Sequence, residues 1–233
     1  MRFYCVLAHP EPASFTSSLA RHGMHALEAH GHVTDVSDLY AMQFDPVSDR
    51  RNFVRVGEPG RFDQQAEEKF AATTDGFSAE LQEEMDRLAA CDVLILQFPI
   101  WWLGMPAIMK GWIDRVFAIG IAYGGGRWFD RGRMRGKQAM LAVTIGGTEE
   151  AYSPSGIYGP AADILRPINH GILAFCGFDV VEPFFAYAPA RKTADERSQL
   201  FEGYTQRLLT IGSAPRVPTL RSDDYENFIS KTG

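Results

Sequence analysis

The sequence predicts an α/β domain built on a doubly wound, five-stranded parallel sheet with helices on both faces. Two observations carry that expectation. Five short apolar runs alternate with amphipathic helical stretches, and there are no internal repeats or low-complexity tracts. The third run, Val93 to Phe98, holds a single polar residue and reads as a strand buried on both faces, as parallel strands are.

Each element has its own signal. Arg2 to Ala8 is the first strand, and Phe15 to His30 reads as a helix that stops at Gly31. Val33 to Leu39 is a second, more polar strand, which suits a place nearer a sheet edge. From Tyr40 to Gly76 periodicity is weak and charges, Gly and Pro are frequent, so an irregular excursion with one short helix is expected. Ser78 to Ala90 forms an amphipathic helix with Leu81, Met85 and Leu88 on one face and Ser78 as its N-cap. The strand at Val93 is ended by Pro99, which has no N–H for a ladder. Pro106 then opens a helix carrying Ile108, Trp112, Ile113 and Val116. Gln138 to Ile145 is the fourth strand, Ile164 to Phe175 a helix stopped by Gly177, Phe178 to Tyr187 the fifth strand, and Asp195 to Ile211 the last helix. Residues 1–212 make the domain. Residues 213–233, with Pro215 and Pro218, make an arm lying on the surface or on a partner subunit.

Charge and cysteine usage narrow the class. With 23 basic and 29 acidic residues the 233-residue chain has a net charge of −6, which argues against a nucleic-acid or anionic-membrane surface. Cys5, Cys91 and Cys176 are odd in number, lie in apolar stretches and lack metal-ligand spacing, so they read as reduced core thiols. No run approaches the roughly 20 apolar residues of a membrane span. The chain opens on a strand without a signal-peptide pattern, and a cytoplasmic location is expected.

Three loops should meet at the carboxyl edge of such a sheet, where open α/β folds bind ligands. The segment from Gln97 to Phe117 puts Trp101 and Trp102 there, flat aromatic walls suited to a planar heteroaromatic ring such as a flavin. On this loop alone they serve equally as core or dimer contacts. After the first strand, His9 and Ser14, Thr16, Ser17 and Ser18 lie at a helix N-terminus, where orphan N–H groups and the dipole favour phosphate. Helix capping is the simpler reading of those serines, and there is neither a GxGxxG nor a P-loop. After the fourth strand, Gly146 and Gly147 permit close backbone approach to a flat ligand, with Tyr152 and Tyr158 following.

Together these segments resemble the NAD(P)H:quinone oxidoreductases of the DT-diaphorase type, flavoproteins with a flavodoxin-like fold. The resemblance runs from about Phe3 to Gly203. It is carried by Leu7-Ala-His-Pro10, Ser37-Asp-Leu-Tyr-Ala-Met-Gln-Phe44, the whole Gln97–Phe117 segment, Thr144 to Gly159, Pro167 to Phe178, and Ala194-Asp-Glu-Arg197. It implies that His9, Phe15, Thr16 and Ser18 hold the pyrophosphate and ribityl part of FAD. Pro99, Ile100, Trp101, Trp102 and Leu103 would line the isoalloxazine ring, and Thr144, Ile145, Gly146 and Gly147 would close its other side. Arg197 would sit near the adenosine end. Tyr152 and Tyr158 would be the catalytic donors, facing the flavin edge that becomes negative on reduction. With Trp102 and Tyr158, Tyr123 from the opposite subunit of a homodimer would border the pocket for a quinone or similar aromatic acceptor.

The chain departs from the resembling family in places. Mammalian members carry a histidine where Tyr158 stands, and a second tyrosine where Gly125 lies within Gly124-Gly-Gly126. One branch binds a structural metal through two histidines four apart; here His170 is present but position 174 is alanine, so no metal is expected. The implied mechanism is two-electron hydride transfer from NADH or NADPH, through the flavin, to the acceptor. Two other roles fit the same residues: a flavodoxin-like electron carrier, and an ancillary regulatory flavoprotein subunit of a potassium-efflux system.

Overall fold

Side chains of the first strand, β1 (Arg2–Leu7), alternate between two hydrophobic cores: Phe3, Cys5 and Leu7 face one, Tyr4 and Val6 the other. The computed structural model describes residues 1–231. With β2 (Val33–Asp38), β3 (Val93–Pro99), β4 (Gln138–Ile145) and β5 (Asp179–Tyr187), β1 forms one sheet in the order β2-β1-β3-β4-β5, every pair parallel. That is the expected doubly wound arrangement. All seven residues of β3 are buried, and the polar β2 lies at one edge, as its composition predicts.

The helices are α1 (Phe15–Ala29), α2 (Gln64–Thr74), α3 (Ala79–Ala90), α4 (Ala107–Val116), the short α5 (Ala161–Ile164) and α6 (Arg166–Ile168), and α7 (Ala194–Leu209). Leu19, Met24 and Leu27 of α1 and Tyr204 and Leu208 of α7 fill the core on one face. Leu81, Met85 and Leu88 of α3 and Met109, Trp112 and Val116 of α4 fill the other.

The structure departs from expectation in two places and adds detail in two more. The helix expected from Ile164 to Phe175 is broken into α5, α6 and a π-helical turn, Asn169–Ala174, because Pro167 cannot donate and crowds the preceding turn. Ser78 occupies the N-cap position of α3 with cap dihedrals, but its buried Oγ has no hydrogen-bond partner among the described residues. The fifth strand carries a bulge: Met140 pairs with Val181 but Ala142 pairs with Phe184, so Glu182 and Pro183 together oppose one residue of β4. The tail folds back on its own chain. Val217 N–H donates to Val180 O at 2.8 Å and Glu182 N–H to Pro215 O at 2.9 Å, so the segment runs along β5. It ends in a small hairpin, β6 (Tyr225–Glu226) and β7 (Ile229–Ser230), with Phe228 against Trp128 at 5.1 Å between ring centroids. Thr232 and Gly233 of the expected arm lie outside the described residues. No helix among the described residues is long and apolar enough to cross a membrane.

Candidate active site

Three loops converge on one residue, Thr144, at the carboxyl end of β4. Its backbone oxygen accepts the Ile100 N–H at 2.9 Å, which carries the strand pairing one step past Pro99. Its hydroxyl lies 2.7 Å from that of Thr16 in the first turn of α1. Both side chains are buried, and whichever hydroxyl donates within the pair leaves the other's proton free to be given outward.

Capping chemistry builds the α1 end of the site. The Ser14 Oγ accepts the Ser17 N–H at 3.1 Å, and the Ser17 hydroxyl donates to Glu11 O. Those serines are thus spent on the cap, which leaves the N–H groups of Phe15 and Thr16 at the positive end of the helix for an anion. His9 Nδ1 accepts the Glu11 N–H at 3.0 Å, so its Nε2 carries the ring's remaining capacity, and the ring lies 6.4 Å from that of Trp101. The Ser18 hydroxyl accepts from Arg21.

The loop after β3 is a two-residue hairpin turn. Trp101 N–H donates to Gly104 O and Gly104 N–H returns to Trp101 O, both at 3.0 Å. The two central residues, Trp102 and Leu103, have φ of 51° and 59°, a left-handed conformation that costs a non-glycine residue of order 1–3 kcal/mol. The turn presents Trp102 with 101% of its reference surface exposed. Trp101 and Leu103 beside it are 41% and 44% exposed, so the turn forms one open apolar shelf.

The third loop differs between its two glycines. A Cβ at Gly146 would meet nothing within 4 Å, so its bareness serves no packing of this chain. A Cβ at Gly147 would lie 2.9 Å from the Tyr152 ring, so that glycine lets Tyr152 in. Tyr152 stacks on Tyr158 at 4.9 Å with 27° between planes. Burial, then the Tyr158 ring beside it, pushes the Tyr152 hydroxyl above the usual phenol range. Tyr158 is about half exposed.

His9, Thr16, Ile100 to Leu103, Thr144 to Gly147, Tyr152 and Tyr158 thus fall on adjoining loops of one edge. Arg197 is exposed in the first turn of α7, one turn before Phe201, which packs on Phe15 at 5.1 Å. Tyr123 lies apart from this shelf. It follows α4, and its ring contacts Phe175 at 6.2 Å, lining a cavity of about 270 Å³ with Gln64, Glu68, Phe117 and Ile172. No group of His, Cys, Asp or Glu among the described residues is placed to hold a metal ion.

Two buried polar residues were not singled out from the sequence, and the first of them supports the shelf. Gln97, fully buried in β3, donates from Nε2 to Thr16 O at 2.9 Å and accepts the Tyr204 hydroxyl at 2.8 Å, tying β3, α1 and α7 together. A lone glutamine in an apolar strand is the signal that could have found it. Glu84 of α3, also fully buried, accepts from Tyr4 at 2.5 Å, Ser37 at 2.8 Å and Trp112 Nε1 at 2.7 Å, and pairs with Arg87.

The residues present fit a flavin. They combine a free helix N-terminus for a pyrophosphate, an apolar turn for a flat ring, and an open glycine backbone opposite it. The comparisons agree with the fold. A family model described as flavodoxin-like fold matches residues 1–209. NAD(P)H dehydrogenase [quinone] 1 of Cavia porcellus is 39% identical over 211 residues, spanning 90% of this chain and 77% of that protein. Ribosyldihydronicotinamide dehydrogenase [quinone] of Homo sapiens is 36% identical over 214 residues, spanning 91% and 93%. A crystal structure from Klebsiella pneumoniae, assigned as a quinone reductase, superposes with a TM-score of 0.95 at 37% identity, covering 99% of this chain and 94% of that one. The chain belongs to the flavodoxin-like fold family, on the branch populated by quinone-reducing dehydrogenases.

Proposed function

We propose that this chain is an FAD-dependent NAD(P)H:quinone oxidoreductase that works as a homodimer. The observation that carries the reading is the convergence on Thr144 of an anion-ready helix end, an exposed tryptophan turn and an open glycine backbone. When bound, the flavin supplies hydride acceptance from the nicotinamide and hydride donation to the acceptor.

The chain's own residues bind and orient. The N–H groups of Phe15 and Thr16 and the ring of His9 suit the pyrophosphate, and Arg197 suits the adenosine end. Ile100 to Leu103 form one wall of the ring site and Thr144 to Gly147 the other. Hydroxyls of Tyr152 and Tyr158 supply neutral donors where negative charge develops, a place where preorganised donors lower the barrier. Trp102 leaves the shelf open on one chain, and a partner's surface around Tyr123 would close it and exclude water.

Purified protein should be yellow, release FAD on heating at about one per chain, and oxidise NADH or NADPH with menadione. FMN alone at full occupancy would reject the adenosine-end role of Arg197. A fully active monomer in sedimentation at micromolar concentration would reject the shared site.

A further inference from the structure

Residues 148–159, between β4 and α5, carry both phenols of the proposed site, Tyr152 and Tyr158. Among the described residues, the hydrogen bonds of this loop close within it. The N–H groups of Ala151, Tyr152 and Ser153 donate to the carbonyl oxygens of Thr148, Glu149 and Glu150, and Tyr158 N–H donates to Ala151 O at 3.1 Å. Gly156 N–H and Gly159 N–H close two further turns, on Ser153 O and Gly156 O. The Ser153 hydroxyl donates to Glu150 O at 2.8 Å and approaches that of Ser155. Within the loop only Tyr152 is buried. Apart from its two covalent ends, this self-bonded unit is seated on the sheet through one ring.

What that ring meets follows from the sheet. Tyr187 ends β5 and pairs in register with Ile145, which ends β4. Side chains alternate along a strand, so Phe185 and Tyr187 share a face, and their rings stack at 5.5 Å with 29° between planes. Tyr152 lies against Tyr187 at 6.2 Å and 40°, within the range where aromatic pairs attract. Tyr158 stacks in turn on Tyr152. Four rings therefore run in series from β5 to the half-exposed Tyr158, and Gly147 leaves the room that Tyr152 needs to join them.

We infer that Tyr187 is a positioning residue: through its ring it fixes where Tyr152, and with it Tyr158, stands over the flavin site. The inference rests on the quinone-reductase reading for what that site does, and on the contacts of this one chain for how the loop is held. A strand end is a firm reference, and a donor displaced by about 1 Å from developing charge loses much of its effect. Burial, then the charge of Glu149, pushes the Tyr187 phenol up, so it brings no charge of its own to Tyr152 at neutral pH. Rings make the contacts, so Tyr187→Phe preserves them and Tyr187→Leu does not.

The test uses the flavin-loaded protein and these two variants. In Tyr187→Leu, hydrogen exchange at the Tyr152, Ser153 and Tyr158 amides should quicken by up to about 10-fold, the upper end of one aromatic contact, while the amides of β4 keep their protection. Stopped-flow flavin reduction by NADH should slow on the order of 10-fold in the same variant. Its flavin dissociation constant, and the NADH concentration giving half the maximal rate, should stay within about twofold of wild type, because the helix end and the tryptophan turn are untouched. Tyr187→Phe should restore most of both the exchange and the rate.

Unchanged loop exchange or an unchanged reduction rate in Tyr187→Leu overturns the inference and leaves the quinone-reductase reading intact. A Tyr187→Phe as slow as Tyr187→Leu also overturns it, since the hydroxyl and not the ring would then matter. Flavin loss in step with the loss of rate overturns it too, as general damage to the site. Wild-type protein that binds flavin yet is reduced by neither NADH nor NADPH overturns the reading and the inference together.

Discussion

The hydroxyl of Thr16 lies 2.7 Å from that of Thr144, joining the N-terminus of α1 to the end of β4 across 128 residues of sequence. Replacing Thr144 with Val keeps the volume and leaves the Thr16 hydroxyl without this partner. Chemical denaturation should show a loss of about 1 kcal/mol, the net worth of one buried hydrogen bond. Flavin titration of the apoprotein should show weaker binding, because the first turn of α1 is no longer tied to the ring loop.

Strain in the tryptophan turn is separable from its surface. Leu103→Asn places a residue that tolerates φ near 60° and should stabilise the fold by roughly 1 kcal/mol in urea unfolding. Trp102→Ala, at a fully exposed position, should move stability by no more than about 0.5 kcal/mol, yet weaken flavin retention on dilution.

In the proposed site, phenols, which ordinarily hold their protons to about pH 10, stand where flavin charge would develop, and burial pushes the Tyr152 hydroxyl higher still. Flavin reduction by NADH should therefore be nearly flat from about pH 5.5 to 8. Tyr158→Phe should slow it about tenfold (~1.4 kcal/mol) with no new titration. Tyr158→His should add a pH dependence near neutrality. A wild-type titration that survives in Tyr158→Phe would assign control to another group.

Removal of Glu84 strips a partner from four donors at once. Glu84→Ala should cost about 3 kcal/mol or more, since Arg87 and the buried groups of Tyr4, Ser37 and Trp112 lose their acceptor. Urea midpoints compared at equal slope would measure it.

Glu68 sets a pH signature on stability. Burial raises its carboxyl in the folded state, so its contribution is fully present below the unfolded value of about 4.3 and is lost as pH rises through the folded value. Glu68→Gln should therefore gain in Tm relative to wild type as pH climbs from about 4 to 8. A gap that shrinks over that range would contradict the burial argument.

The strands were legible because parallel strands are apolar on both faces, and the three site loops followed from where those strands end. Helix α2 was only half visible. The sequence expects one short helix in an irregular excursion there and singles out neither Glu67 nor Glu68, yet both are buried and bonded to backbone and amide donors that no spacing rule shows. The break at Pro167 was local chemistry left unweighed against a long apolar period. Gln97 and Glu84 act through partners 81 and 80 residues away, a distance at which sequence pattern carries no signal. Tyr123 was tied to the site only by resemblance, and one chain places it elsewhere.

The tail's course along β5 bears on how the protein behaves in a crowded solution. β5 is an outer strand with Val180, Val181, Phe184 and Phe185 along it, the kind of edge onto which a second unfolding chain would add itself. Pro183 and the bulge blunt its middle, and Pro215 to Val217 occupy its open hydrogen-bonding groups at Val180 and Glu182. Residues 215–217 thus cover the edge onto which a second chain would add, and a protein shortened past Ala214 should aggregate more readily in solution.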